Sequence, residues 1–190
     1  MMPVVRFFLT ILKVFMLLIV TAMILFQIPE LQYDFGTNKP VSIKSVDELS
    51  IERFRGPTFA SVQGKADFTK AASFSKYGVQ YTYFLLNEYG NKLVVRTHEA
   101  ASQEWERIEF HLGRLRPYDQ MPFSRSVRAG FRNLFDIGIA EDAFFLARDD
   151  VPKLSGWSIG AVSFVSVLWC LLAYFFFVHG WLTAKRAKKA

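Results

Sequence analysis

The side chains of this sequence that could do chemistry are three histidines, four pairs of acids, a row of arginines and one cysteine. His98 and His111 fall on or beside strand-like segments with no second or third ligand at metal spacing. They read as surface histidines, and no metal site is assigned. His179 ends an apolar run beside Gly180 and Trp181. It is the one candidate cofactor ligand, as an axial ligand to haem, against the preferred reading of an interfacial histidine. The acids stand as Asp47-Glu48, Glu104/Glu106, Glu141-Asp142 and Asp149-Asp150. Adjacent carboxylates on a strand point to opposite faces, and Glu104 and Glu106, which share a face, lie beside Arg107 as a solvated edge. The sequence contains no His-Glu-x-x-His, phosphate loop or dinucleotide fingerprint, so no catalytic residue is assigned and an enzyme is not expected. Arg125, Arg128 and Arg132 recur at helical spacing, with Arg114 and Arg116 nearby in sequence. This stripe is the candidate contact surface for an acidic partner or anionic lipid, or else the wet face of an amphipathic helix. Cys170 lies in mid-run of apolar residues, where a thiol behaves as a small hydrophobe.

The elements that carry these residues fall into three parts. The chain has 190 residues, 52% of them hydrophobic, and a formal net charge of +6. That length allows at most one compact domain beside membrane segments. Trp157–Val178 runs without a charge and exceeds the roughly 20 residues needed to cross a ~30 Å hydrocarbon core. Val14–Ile28 is a shorter apolar run, and extending it through Phe7–Leu12 puts Lys13 inside, where its ammonium can snorkel to the headgroups. No small-x-small pattern follows this run, so it is expected to stay as an anchor, and Pro29, which lacks an N–H, is expected to end it.

All 17 acidic residues lie within 30–156, where 17 of the 23 Lys and Arg balance them. The excess positive charge is Arg6 and Lys13 at one end and Lys185, Arg186, Lys188 and Lys189 at the other. Positive flanks stay cytoplasmic, so both termini are expected inside and residues 30–156 in the periplasm or an equivalent space, with a bacterial inner membrane favoured. The basic tail suits contact with anionic headgroups. A neutral exported domain has no surplus charge to displace phosphate counterions, which argues against nucleic acid as a partner. The expected organisation is 1–29 tail and first span, 30–156 exported domain, 157–182 second span flanked by Trp157 and Trp181, and 183–190 basic tail.

Within the domain, turn formers from Leu31 to Leu49 suggest a stalk with a short strand near Val41–Val46. Thr58–Phe68 reads as a strand bent at Gly64. A turn at Lys76-Tyr77-Gly78 leads to Val79–Leu86, with Val79, Tyr81, Tyr83 and Leu85 on one face; Glu88-Tyr89-Gly90-Asn91 then turns into Lys92–Thr97. Trp105–Leu115 alternates, which places Ile108, Phe110 and Leu112 on a buried face. Phe123–Phe135 has helical periodicity, and Asp142–Ala147 closes the series as a strand. The order β-β-β-β-α-β predicts a small mostly-β domain with one late helix, an OB-like partly open barrel, with an α+β sandwich as the alternative.

Span, exported β domain, second span and inward tails together resemble, in layout, the surfeit-locus-type assembly factors of haem-copper oxidase. Where that family has a Gly-x-Trp-Gln-type motif after the first span, this chain reads Tyr33-Asp34-Phe35-Gly36. The phrases FASVQGKADF, YFLLNEYGNKLVV, RIEFHLGRL and AFFLARDDVP are similar to the OB-fold haem chaperones of cytochrome c maturation, over about half the chain. The segment matching that family's haem-attaching histidine reads Leu146-Ala147-Arg148-Asp149-Asp150, so covalent haem attachment is not implied. The function expected is a non-enzymatic membrane accessory or assembly subunit, docking on an integral membrane protein complex through its two helices and exported domain. Gly160, Ala161, Ser163 and Ser166 would allow close helix approach. A haem- or metal-handling chaperone and a lipid-binding envelope module are the alternatives.

Overall fold

The computed structural model describes residues 3–76, 78–99, 107–153 and 156–179, and the side chains of these except 3–6, 76 and 156–158. Tyr77, Trp105, the Glu104/Glu106 pair, Trp181 and the basic tail lie outside the described residues. Two compact units result, one containing both apolar helices and the other the chain from Phe35 to Lys153.

Helix α1 spans Pro3–Asp34, and helix α3 spans Gly156–Ala173 and continues as a π turn, Tyr174–His179. Both are long and apolar enough to cross a membrane, with mean hydropathies of 2.6 and 2.3 over their apolar windows. The helix does not stop at Pro29 as expected: it runs on to Asp34. A proline removes one backbone donor from the ladder, and the flanking bonds carry the helix past that gap. The two helices pack antiparallel. Trp169 Nε1 donates to Thr21 Oγ1 at 2.9 Å, the Thr21 hydroxyl donates to the Leu17 carbonyl at 2.8 Å, and Lys13 Nζ lies 5.8 Å from the centre of the Phe176 ring. Val20 and Val165 are the buried residues of this seam.

The second unit is a mixed seven-stranded sheet: β1 Val41–Ile43, β2 Thr58–Gln63, β3 Ala66–Lys76, β4 Val79–Leu86, β5 Leu93–Thr97, β6 Phe110–Pro117 and β7 Phe144–Arg148. Its spatial order is β1-β2-β6-β7-β5-β4-β3, with β1/β2 and β5/β7 parallel and the remaining pairs antiparallel. The expected barrel is therefore corrected to an open sheet. No ladder joins β3 to the β1/β2 side among the described residues, because β3 spends its pairing on β4 and carries a register shift between Asp67 and Ala72. Such a shift twists an edge strand out of line for further pairing.

Only Gly64 and Lys65 separate β2 from β3, although these strands lie toward opposite ends of the sheet order. The sheet must curl to allow it. Gly64 N–H donates to Glu109 O, Asn87 N–H to Lys65 O and Lys65 N–H to the Glu88 carboxylate, at 2.8–2.9 Å. The expected bend at Gly64 is thus a corner between two strands.

Side chains alternate across β4, β5 and β7, and both faces are buried, which is why these segments are continuous apolar runs. Phe84, Leu86, Leu93, Val95, Phe144 and Leu146 point into the curl with Ile43, Ala60, Val62, Leu115 and Phe54. Tyr83, Leu85, Val94, Phe145 and Ala147 point the other way, toward helix α2 (Ser124–Phe135), which contributes Val127 and Phe131. Gly130 lets that helix approach closely, since a Cβ there would sit 2.4 Å from Phe74 Cζ.

Strand β6 corrects a second expectation. Its inward residues are His111, Gly113 and Leu115, whereas Phe110 and Leu112 are exposed. A Cβ at position 113 would lie 2.0 Å from the Ala147 carbonyl oxygen. Only glycine fits against β7 at that point, and with a side-chain period of two it fixes the phase of the whole strand.

Candidate functional site

The late helix owes its start to Tyr118 and Arg128. The Tyr118 hydroxyl donates to the Ser124 carbonyl at 3.0 Å, and the Arg128 guanidinium lies over the Tyr118 ring at 5.2 Å while its Nη2 is 3.5 Å from Asp119 Oδ1. Burial pushes the Tyr118 hydroxyl up to about 12, against the lowering pull of Arg128. The residue capping the helix, Phe123, has φ 64° and ψ 22°, a left-handed conformation that a bulky side chain rarely adopts. It turns the ring outward, about half exposed, at the mouth of a cleft.

That cleft, about 130 Å³, is bounded by Phe74, Ser75, Tyr81 and Tyr83 of the β3–β4 hairpin and by Phe123, Ser126 and Val127 of the helix. Phe74 meets Tyr83 edge-on at 5.6 Å. Beneath it Arg96 lies 5.2 Å from the Tyr81 ring and 5.3 Å from Phe145, and exposed His98 meets Tyr81 in a tilted contact at 4.9 Å. Burial raises the Tyr83 phenol and Arg96 opposes the shift, so Tyr83 is a neutral phenol. On the outer side of the same helix, Arg125 and Arg132 are exposed and form no ion pair among the described residues. The arrangement is an aromatic-walled cleft with unpaired positive charge on the outer side of the helix that walls it, which suits binding of an apolar group attached to an anionic segment that crosses the helix.

The stripe expected from sequence therefore divides: Arg125 and Arg132 project to solvent, and Arg128 serves the fold. Arg114 is not part of it. Its Nε and Nη2 meet the Asp150 carboxylate at 3.0 and 3.2 Å, while Arg148 pairs with Asp149 at 3.5 Å. The Asp149-Asp150 pair is thus structural, and Asp142 pairs with Lys92 at 3.1 Å. A larger, polar hollow of about 360 Å³ lies at the Gly64–Lys65 corner, lined by Lys65, Asp67, Thr69 and Asn87. Burial alone would raise the Asp67 carboxyl, but bonds from Lys70 and Thr69 outweigh it and lower it, so its oxygens are already engaged.

His111 is fully buried, contrary to its reading as a surface residue, because Gly113 turns that face of β6 inward. Its Nε2 lies 3.1 Å from the Gly64 carbonyl, its ring packs edge-on to Phe84 at 5.8 Å, and its Nδ1 has no hydrogen-bond partner among the described residues. Burial holds its pKa down at about 4; the bond to Gly64 and the Glu88 charge act upward, Arg148 downward. A neutral imidazole donating from Nε2 closes the corner of the curled sheet. His179 sits exposed on the π turn, 6.3 Å from Tyr174 and 6.0 Å from Phe175, and no cluster of three His, Cys, Asp or Glu is placed to hold a metal among the described residues. Gly160 and Ser163 lie on the exposed side of α3, away from the Val165 seam.

The sequence shows the arginines and sets Tyr81 and Tyr83 on one face, but not that Phe74 and Phe123 meet them across a cleft. Phe74 and Ser75 lie in a stretch of Thr, Lys, Ala and Ser that carries little strand signal, and the left-handed Phe123 has no sequence signature. Comparison with protein families, with curated proteins and with solved structures finds no match to this chain.

Proposed function

We propose that this protein is a non-enzymatic accessory or assembly subunit of an integral membrane complex, anchored by α1 and α3 and presenting its β domain as a docking module. The helix pair carries this reading. The two helices are fixed to each other by the Trp169–Thr21 bond, yet only 6% of the residues in either apolar window are fully buried, so much of their apolar surface remains for lipid and neighbouring helices. Gly160 and Ser163, exposed and three residues apart, supply a face on which another helix can approach closely. Positive residues concentrated at the two ends of the chain favour both termini in the cytoplasm and the β domain in the periplasm or its equivalent.

Purification from native membranes in mild detergent tests the proposal. A stoichiometric integral membrane partner is expected, with its yield reduced when Gly160 and Ser163 are both changed to Ile. A monodisperse chain without a partner would overturn it.

A further inference from the structure

We infer that the cleft between α2 and the β3–β4 hairpin receives one aromatic or branched apolar side chain from an acidic segment of the partner protein. The inference rests on the docking proposal and names the chemistry that the exported module recognises.

Size sets the first limit. The space between Phe74, Tyr81, Tyr83, Phe123 and Val127, about 130 Å³ and open at its mouth, is slightly smaller than the roughly 150 Å³ enclosed cavity that holds a benzene ring, so it seats at most one ring or isobutyl group, with part of it in the mouth. An acyl chain would seat only a few of its carbons there, which favours a protein side chain over a lipid tail. The walls are suited to a ring: offset and edge-on contacts with Phe74, Tyr81 and Tyr83 are available, and the hydroxyls of Ser75 and Ser126 border the space.

Charge sets the second limit. Arg125 flanks Ser126 on the same helix turn, and Arg132 follows two turns on. Neither is neutralised by an acid among the described residues, whereas Arg128 between them is spent on Asp119. The domain as a whole is neutral, so this local excess is a feature of one helix face rather than of the composition. A segment with carboxylates on either side of its apolar anchor satisfies cleft and arginines together.

Phe123 supplies a third, independent observation. A phenylalanine at φ 64° carries backbone strain that glycine would not, and its half-exposed ring forms one wall of the cleft. The strain buries no ring in the core; it holds an aromatic wall at the cleft mouth.

The test uses the full chain in nanodiscs of zwitterionic lipid and a fluorescent peptide of Asp and Glu flanking one central Phe. Binding about tenfold or more tighter than to the same peptide with Ala at the centre is expected, the ratio that burial of one ring provides. Ser126→Trp, which fills the cleft, should remove that preference, and Ser75→Phe should do so from the opposite wall if the first variant folds poorly. The combination of Arg125→Glu and Arg132→Glu should weaken both peptides. The inference is overturned if the Ala peptide or a Lys-flanked Phe peptide binds equally well, if neither cleft-filling variant matters, or if anionic vesicles displace the peptide through the same residues. Loss of the peptide result with a membrane partner still co-purifying would remove the cleft and leave the docking proposal. Absence of the partner would do the reverse.

Discussion

The two faces of the β sheet are finished in opposite ways. The face inside the curl is sealed: Ile43, Val62, Phe84, Leu86, Leu93, Leu115 and Leu146 are all fully buried, Phe54 packs edge-on to Phe144, and His111 ties the closing corner. The face under α2 is covered only in part, leaving a cleft, a strained Phe123 and two arginines without ionic partners among the described residues. One face holds the fold and the other has been left open to contact. The same strands serve both, so substitutions one residue apart should separate stability from binding.

The largest effect belongs to the sealed face. Gly113→Ala would place a Cβ against the Ala147 backbone, which cannot rotate away. It should destabilise the domain by about 4 kcal/mol or more, in the range where a small domain unfolds, as read by thermal denaturation of the β unit.

His111→Leu changes the volume little but strands the Gly64 carbonyl, a cost of about 1–3 kcal/mol. It also carries a pH signature. The folded pKa of about 4 lies below the ordinary 6.5. The unfolded chain therefore binds the proton first, and stability due to neutral His111 is complete above pH 6.5 and is lost as pH falls through 4. Wild-type melting temperature should drop across that window, and the variant should show a shallower fall. Identical pH profiles would remove the corner role of His111.

On the open face the effects on stability shrink and change sign. Phe123→Gly relieves the left-handed strain and should stabilise by about 1 kcal/mol, less what the half-exposed ring contributes, while weakening binding of the Phe-centred acidic peptide. Arg125→Glu with Arg132→Glu should alter stability by less than about 0.5 kcal/mol, as exposed substitutions do, and yet reduce partner binding. Should these surface variants unfold the domain, the division between the faces would not hold.

Much of the fold was legible where physics is local. The run Val79–Leu86 and the helix over Phe123–Phe135 were located to within a residue, because apolar runs and helical periodicity report burial directly. What failed was non-local. The phase of β6 is fixed by contact between Gly113 and Ala147, which alternation around Phe110 and Leu112 does not reveal. The open, mixed order of the sheet depends on β7 joining β5 in parallel and β6 pairing back to β2, strands distant in sequence. Strand β3, rich in Lys, Thr and Ser, carries an edge strand's polarity, and beyond Phe68 the sequence assigns it no element. The candidate site divides likewise: the arginines repeat at helical spacing and could be read, whereas the cleft exists only because Gly130 admits the helix against Phe74.

The account's central claim, that this is a docking subunit whose open sheet face meets a membrane partner, is tested most directly by a photo-crosslinking residue at Ser126 in intact membranes, with the adduct mapped by mass spectrometry. The account predicts a crosslink to an apolar residue within an acidic extramembrane segment of an integral membrane protein, lost when Arg125 and Arg132 are reversed to Glu. Crosslinks confined to phospholipid, to a second copy of this chain or to no protein at all would contradict it.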